Sequence, residues 1–351
     1  MMSSPSCVLV TGAAGYVGTH VIHELICAGF KPVALDNRQE ALEEAMKRVW
    51  SMSGVEVQYF YADLLNVGQI ASIFQQVPIS HVIHLAGLKA VRQSHGSPLS
   101  FYNVNVMGTC NLLEVMLAKG VNEIIFSSSS KVYGEPIYLP LDERHPSGNC
   151  TNPYGRTKHM VEQMISDITV ANKHFKATIL RYFNPCGAHP SGHLGEDRLE
   201  PPQNLMPLIC QVALGNKDTL SIFGNDFDTP DGTASKAYTH IVDIAKGTVA
   251  AIQCPHGHAQ YRVYNLGSSH VCSILEMVKI FEKLSGKKIP VEFCERKPGE
   301  IAMCSSDSSL AKQELGWEPM YDLQHMCEHM WRWMTCKTTD TTENNGANIT
   351  S

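Results

Sequence analysis

Residues 7–36 constrain the fold more than any other stretch. An apolar run, Cys7-Val8-Leu9-Val10, leads into Thr11-Gly12-Ala13-Ala14-Gly15-Tyr16-Val17-Gly18 and then into an apolar-periodic segment through Val21, Ile22, Leu25 and Ile26. That order reads as strand, glycine turn and helix. Such a turn aims the backbone N–H groups of a helix N-terminus at one place, which suits a pyrophosphate. Glycines at 12, 15 and 18 follow a Gly-x-x-Gly-x-x-Gly spacing, with Tyr16 and Val17 between them. A second run, Pro32-Val33-Ala34-Leu35, ends in Asp36-Asn37. An acid about 20 residues beyond the glycine loop meets the hydroxyls of an adenosine ribose. It also repels a 2′-phosphate, so NAD is expected over NADP.

The alternation continues along the chain. Residues 40–50 read as a charged helix. Val55 to Phe60 reads as a strand that runs on to Ala62-Asp63-Leu64, placed for an adenine, and Val67 to Gln76 as a helix. His81 to Ala86 reads as a strand that carries Leu85 and Ala86 into Gly87. A long helix over 100–119 carries Asn105, and Ile124 to Ser129 is the next strand. Strand and helix in turn imply an α/β class, an open doubly wound parallel sheet of the Rossmann type. Ligands of such sheets sit at the carboxyl ends of the strands, where Gly12, Asp36, Asp63, Gly87 and Ser129 all fall.

Tyr154 and Lys158 stand four residues apart in Thr151-Asn152-Pro153-Tyr154-Gly155-Arg156-Thr157-Lys158. On a helix they share one face. An ammonium beside a phenol lowers the phenol's pKa, which makes tyrosine a general acid/base. The strand before it delivers the Ser129 hydroxyl towards the same point. This spacing alone is common by chance; agreement with the rest of the chain gives it weight.

After a strand over 177–184, Pro185-Cys186-Gly187 turns out of the sheet and the texture becomes rich in Pro, Gly and polar residues. The expected division is a nucleotide domain over 1–187, a smaller C-terminal α/β substrate domain over 188–336 and a disordered polar tail over 337–351. Residues 236–267 are expected to return to the first domain. A net charge of -6 gives no reason to expect nucleic acid or an anionic membrane as partner. No run is long and apolar enough to span a membrane, and nothing resembles a secretory leader, so a cytoplasmic location is expected. Twelve cysteines without a Cys-x-x-Cys pair read as reduced thiols; the sixteen histidines read as structural or surface residues, and no metal is expected.

With these residues in place, the chain resembles the UDP-glucose 4-epimerases of the extended short-chain dehydrogenase/reductase family. The resemblance spans residues 7–334. Its most specific pieces are Gly12 to Gly18, His84-Leu-Ala-Gly-Leu-Lys-Ala-Val91, Ser127-Ser-Ser, Tyr138-Leu-Pro-Leu-Asp-Glu143, Thr151 to Gly155, Arg181-Tyr-Phe-Asn-Pro185, Asn204-Leu-Met-Pro207 and Phe223-Gly-Asn-Asp226. It implies bound NAD, a UDP-sugar substrate, galactose metabolism and a homodimer. Tyr154 would be the base, with Lys158 and Ser129 beside it. Lys89 and Tyr182 would meet cofactor and sugar. Phe183, Asn184, Asn204, Leu205, Ser221, Phe223, Lys236, Lys297, Glu300 and Cys304 would hold the UDP-sugar. The homodimer would pair second apolar stripes, Val106, Leu113 and Leu117 on one helix and Met160, Met164 and Ile168 on another.

The chain departs from the family pattern at four places. Ser130-Lys131 stands where Ala-Thr is usual; the family's arginine and aspartate are Lys236 and Ala237; Lys297 replaces a second arginine; and the loop after Asp36-Asn37 is short. A lysine keeps the charge of arginine and loses its bidentate fork, so weaker diphosphate binding is expected. The resemblance also implies that a small residue at 304 leaves room for an N-acetyl group, and so turnover of UDP-GlcNAc and UDP-GalNAc. Two rival readings stand: a nucleotide-sugar 4,6-dehydratase, which places Asp-Glu where Ser130-Lys131 stands, and a non-catalytic NAD or UDP-sugar binding protein.

Overall fold

The computed structural model of the 351-residue chain describes residues 7–196, 202, 204–296 and 301–346, with side chains through 336. Strands β1 (Cys7–Thr11), β2 (Lys31–Asp36), β3 (Gln58–Tyr61), β4 (Ile79–His84), β5 (Glu123–Ser129), β6 (Lys176–Tyr182) and β11 (Tyr261–Leu266) form one sheet in the order β11-β6-β5-β4-β1-β2-β3. Every pairing in it is parallel. The strand order reverses direction at β1 and β4, which opens the crevice where such sheets take ligands.

Helices cover both faces, and successive side chains of one strand feed opposite cores. Val8 and Val10 of β1 pack with Val21 and Ile22 of α1 (Tyr16–Cys27), Leu42 of α2 (Gln39–Ser53) and Ile244 of α9 (Ile241–Gln253). Leu9 joins Ile70 of α3 (Val67–Gln76), Leu112 of α6 (Gly108–Ala118) and Val161 of α7 (Pro153–Ala171). A polar residue at either kind of position would face a dry helix. Each fully buried Val or Leu contributes roughly 1.5–3 kcal/mol of transfer free energy.

The helix expected over 100–119 is built in three pieces. Short α4 (Val91–Gly96) and α5 (Pro98–Phe101) lead into a π-helical turn, Tyr102–Met107, and then α6. π-turns are uncommon and frequent at functional sites; this one carries Asn105.

Beyond β6, a short β7 (Pro185–Cys186) pairs with β10 (Thr239–His240). The C-terminal lobe is built on α8 (Leu205–Leu214), β8 (Leu220–Phe223), α10 (Ile274–Ser285), β13 (Val291–Cys294) and α12 (Leu323–Gly346), around Met206, Ile209, Ile222, Met277, Phe281 and Trp333. β9 (Ser235–Ala237), β12 (Val271–Ser273) and β14 (Met303–Cys304) form a small sheet, and α11 (Ser309–Leu315) packs near β11. The sequence reading did not assign α12. Its buried Met326, Met330, Trp333 and Met334 stand at helical spacing. The helix continues to Gly346, through part of the tail expected to be disordered, because extending a packed helix costs less than starting one. Residues 347–351 lie outside the described residues. No described helix is long and apolar enough to cross a membrane.

Candidate functional site

The glycine loop is built for close approach. Gly12 has φ +71°, and a Cβ there would lie 2.7 Å from the Ala86 nitrogen. A Cβ on Gly18 would lie 2.3 Å from the Gly12 carbonyl oxygen. Gly15 caps α1 without a side-chain hydrogen bond, so the first N–H groups of the helix face the crevice uncapped. This cradle fits the diphosphate of a dinucleotide. Asp36 ends β2 buried; its carboxylate accepts from the Ala14 N–H at 3.1 Å and from the Arg38 backbone at 3.1 Å and side chain at 3.2 Å. Arg38, which the sequence reading did not select, thus sits on the acid expected to meet the ribose. Asn37 donates to Asp63 at 3.1 Å, and Leu64 packs beside them.

Several expected contacts have another occupation. The Tyr16 hydroxyl donates to the Gly187 carbonyl at 2.5 Å and ties α1 to the chain leaving the sheet; Val17 packs in the core beside it. Asn105 binds the loop after Gly87: Oδ1 accepts from the Leu88 N–H at 2.7 Å, and Nδ2 donates to the Leu88 carbonyl and to Thr157, both at 3.0 Å. It positions the turn that follows Leu85-Ala86-Gly87. The Tyr182 hydroxyl is buried against Thr248 at 2.8 Å. Phe183 is fully buried among Val132, Tyr133, Leu141 and Cys304. Asn184 adopts φ +37° and donates to the Ala237 carbonyl at 2.7 Å.

Ser129, Tyr154 and Lys158 do converge. Ser129 ends β5, and Asn152 caps α7 by accepting from the Gly155 N–H at 2.8 Å, with Pro153 at the first helical position. The cap starts the helix so that Tyr154 and Lys158 follow one turn apart beside β5. Burial pushes the Tyr154 phenol up, and its hydrogen bond with Ser129 offsets that only in part. Lys158 donates to the Ser127 carbonyl at 2.7 Å and lies 4.7 Å from the Phe126 ring centre. Burial lowers its pKa to about 8, with Glu162 working the other way. The expected lowering of the tyrosine by the lysine is therefore not present here: the ammonium is turned to the sheet.

Behind this group lies a buried network that the sequence reading missed. Glu162, one turn past Lys158, accepts from Ser128 at 2.5 Å and from Arg181 at 3.0 and 2.7 Å. Arg181 stacks over Tyr133 at 4.7 Å, whose hydroxyl donates to Asn265 at 2.6 Å. His84 bridges Thr11 at 2.7 Å and Thr109 at 2.8 Å beneath Lys158, and burial lowers its pKa to about 3.

On the other wall, Glu196 binds two expected residues at once: the Lys89 ammonium at 2.7 Å and the Asn204 amide at 2.9 and 3.1 Å. Leu205 opens α8 next to Asn204, and Ser221 and Phe223 lie half-buried on β8. Cys304 on β14 pairs with Lys236 on β9 and packs against Phe183. Burial raises its thiol, and Lys131 and Lys236 offset that. Both lysines thus face the same small region. Lys297 and Glu300 lie outside the described residues. The expected dimer stripes are mostly core: Leu113 is buried and Val106, Met164 and Ile168 pack against the sheet, while Leu117 and Met160 are exposed.

The profile described as GDP-mannose 4,6 dehydratase matches residues 9–330. Human UDP-glucose 4-epimerase is 48% identical over 332 residues, 93% of this chain and 95% of the relative. The chain belongs to the UDP-glucose 4-epimerase family. Among solved structures, the Bifidobacterium longum UDP-glucose 4-epimerase in complex with NAD+ and UDP superposes with a TM-score of 0.91 at 41% identity, covering 95% of this chain and 99% of that one. The Campylobacter jejuni UDP-Glc/GlcNAc 4-epimerase gives 0.81 at 32% identity over 94% and 99%. The Rossmann architecture read from the alternating runs agrees with these folds. Ser130 and Lys131, the two residues directly after Ser129, supply neither acid that the dehydratase reading requires.

Proposed function

We propose that the chain interconverts UDP-galactose and UDP-glucose at C4 with a bound NAD. The convergence of Ser129, Tyr154 and Lys158 beside the glycine cradle carries this reading. When bound, NAD accepts the C4 hydride and returns it. Tyr154 takes the 4-hydroxyl proton on its phenolic oxygen and gives it back to the opposite epimer. Ser129 holds that oxygen. Lys158 supplies the local positive charge once it turns from Ser127. Atoms balance: the hydride leaves C4 and the proton leaves its hydroxyl oxygen, and both return to those atoms after the 4-keto sugar has presented its other face. Asp36 and Asn37 face the adenosine end, while Gly12, Gly15 and Gly18 admit the diphosphate. Glu196 holds Lys89 and Asn204 in place for the UDP-sugar, with Lys236 nearby. The test is incubation of pure protein with UDP-galactose or UDP-glucose without added reductant. Exchange in both directions is expected; none in either direction leaves a binding protein.

The proposal extends to the sugar's C2 side. Cys304 is small, packs with Val132, Tyr133, Leu141 and Phe183, and has Lys131 and Lys236 near its thiol. That supports acceptance of UDP-GlcNAc and UDP-GalNAc. It extends also to a homodimer through exposed Met107, Leu117 and Met160; light scattering at micromolar protein should give twice the chain mass, and a monomer would reject it.

A further inference from the structure

Far from the catalytic tyrosine, the last turn of α1 gathers metal-ligating side chains. His23, Glu24 and His189 each offer a donor atom, and the three lie within 4.8 Å of one another. The His23 Nδ1 is 3.9 Å from a Glu24 carboxylate oxygen, and the Cys27 sulfur is also 3.9 Å from that Nδ1. His23 and Cys27 are four apart, so they share a helix face. His189 comes from a different segment, the chain leaving β7, and its ring meets that of His23 edge-on at 5.1 Å between centres. Two elements distant in sequence thus bring a nitrogen, nitrogen, oxygen and sulfur set together.

We propose that His23, Glu24 and His189 form a zinc site, with Cys27 able to fill the fourth position. Zinc takes this donor set in tetrahedral geometry, with donors roughly 3.3 Å apart. The present separations close to that by torsions of half-buried side chains. The His189 Nδ1 accepts from the Ser191 amide at 3.2 Å and lies 2.9 Å from the Ser191 hydroxyl; zinc on Nε2 requires the other tautomer, with Nδ1–H donating to the hydroxyl and the amide contact released. The hydroxyl would then be the outer acceptor that a zinc-bound histidine keeps for its other ring N–H. The C-terminal end of α1 adds the negative end of a helix dipole. Lys246 on α9 opposes a cation, and the Glu24 carboxylate offsets it. Both line, with Cys27, a surface hollow through which an ion reaches the group. One turn back, His20 is buried and its Nε2 has no hydrogen-bond partner among the described residues, so the neighbourhood holds more imidazole than packing needs. The three residues are not adjacent in sequence, so no ligand spacing marks them there. A bound zinc would staple the pyrophosphate helix to the chain entering the C-terminal lobe, alongside the Tyr16–Gly187 bond.

The test uses chelator-treated, cofactor-loaded protein titrated with Zn2+ against a chromogenic chelator. One zinc per chain at low-micromolar affinity or tighter is expected, with a rise in thermal midpoint. His23→Leu and His189→Ala should each weaken binding roughly 100-fold or more, since outer partners alone are worth about 10–100-fold. Both should keep the wild-type circular dichroism. Co2+ should give tetrahedral visible bands in wild type that neither variant shows. Failure of wild-type protein to take zinc overturns the proposal. So does zinc that stays bound in both histidine variants, which would place it on other thiols.

Discussion

Glu162→Gln probes the buried network behind the catalytic pair. The Arg181 and Glu162 side chains are 6% and 1% exposed, so neither charge has water as an alternative partner. Burial works against the guanidinium charge, and the Glu162 hydrogen bonds and field more than offset it. The amide keeps the shape and one carbonyl acceptor, but leaves the guanidinium uncompensated. Removing one partner of a buried pair costs about 3–5 kcal/mol, and the retained acceptor places this change near 3 kcal/mol. With a urea m-value of roughly 3 kcal/mol/M, the unfolding midpoint should fall by about 1 M. Removing both charges, as Glu162→Leu with Arg181→Met, should cost much less than the two single changes added, because no buried charge is left alone. Urea titration at saturating NAD, followed by tryptophan fluorescence, measures wild type, Glu162→Gln, the Glu162→Leu and Arg181→Met single variants and their double. A midpoint for Glu162→Gln within about 0.2 M of wild type would refute the reasoning. A double variant as unstable as the sum of the singles would do so equally.

Three further outcomes follow from the site. Lys158 has a folded pKa of about 8 against an ordinary 10.5, so the unfolded chain binds more protons between those values and stability should rise across that window. Below pH 8 its buried charge opposes folding by about 3 kcal/mol; Lys158→Met should therefore raise the thermal midpoint of cofactor-free protein at pH 7 while removing turnover, and a lower midpoint would contradict it. Tyr154→Phe should bind NAD normally and lose about 100-fold or more in turnover, the scale of general acid/base catalysis; near-normal kcat would remove the phenol from the reaction. Cys304→Tyr should abolish turnover of UDP-GlcNAc and spare UDP-galactose, and wild-type protein inert to UDP-GlcNAc at millimolar concentration would close that pocket.

Periodic apolar runs made the sheet legible. Val8-Leu9-Val10 can only be a strand covered on both sides, and the glycines after it can only be a close turn. The Tyr154–Lys158 pair was legible as a spacing, because a helix turns a difference of four into proximity. What the runs hide is where a polar atom finds its partner. Asn105, Tyr182 and Phe183 are held by Leu88, Thr248 and the Val132–Tyr133 core, partners that no local run reveals. Glu196 and Arg38 were invisible for the same reason: a surface-type residue joins a site only when the fold returns a distant segment to it. α12 was missed because histidines and tryptophans dilute a methionine stripe that is nonetheless helical.

The electrostatics of the pair show which group the chain does not supply alone. Burial drives Tyr154 towards phenol and Lys158 towards amine, so an apolar pocket favours the neutral form of both. Ser129 stabilises phenolate by one hydrogen bond, and Glu162 keeps Lys158 charged at neutral pH, but the ammonium points at Ser127. A phenolate here needs a cation on the crevice side of Tyr154. Lys158 provides it only by leaving the Ser127 carbonyl, and an oxidised nicotinamide carries a second positive charge into the same space. On the proposed reading, base strength at Tyr154 would be coupled to occupancy of the glycine cradle, and proton removal would be favoured where NAD is already held.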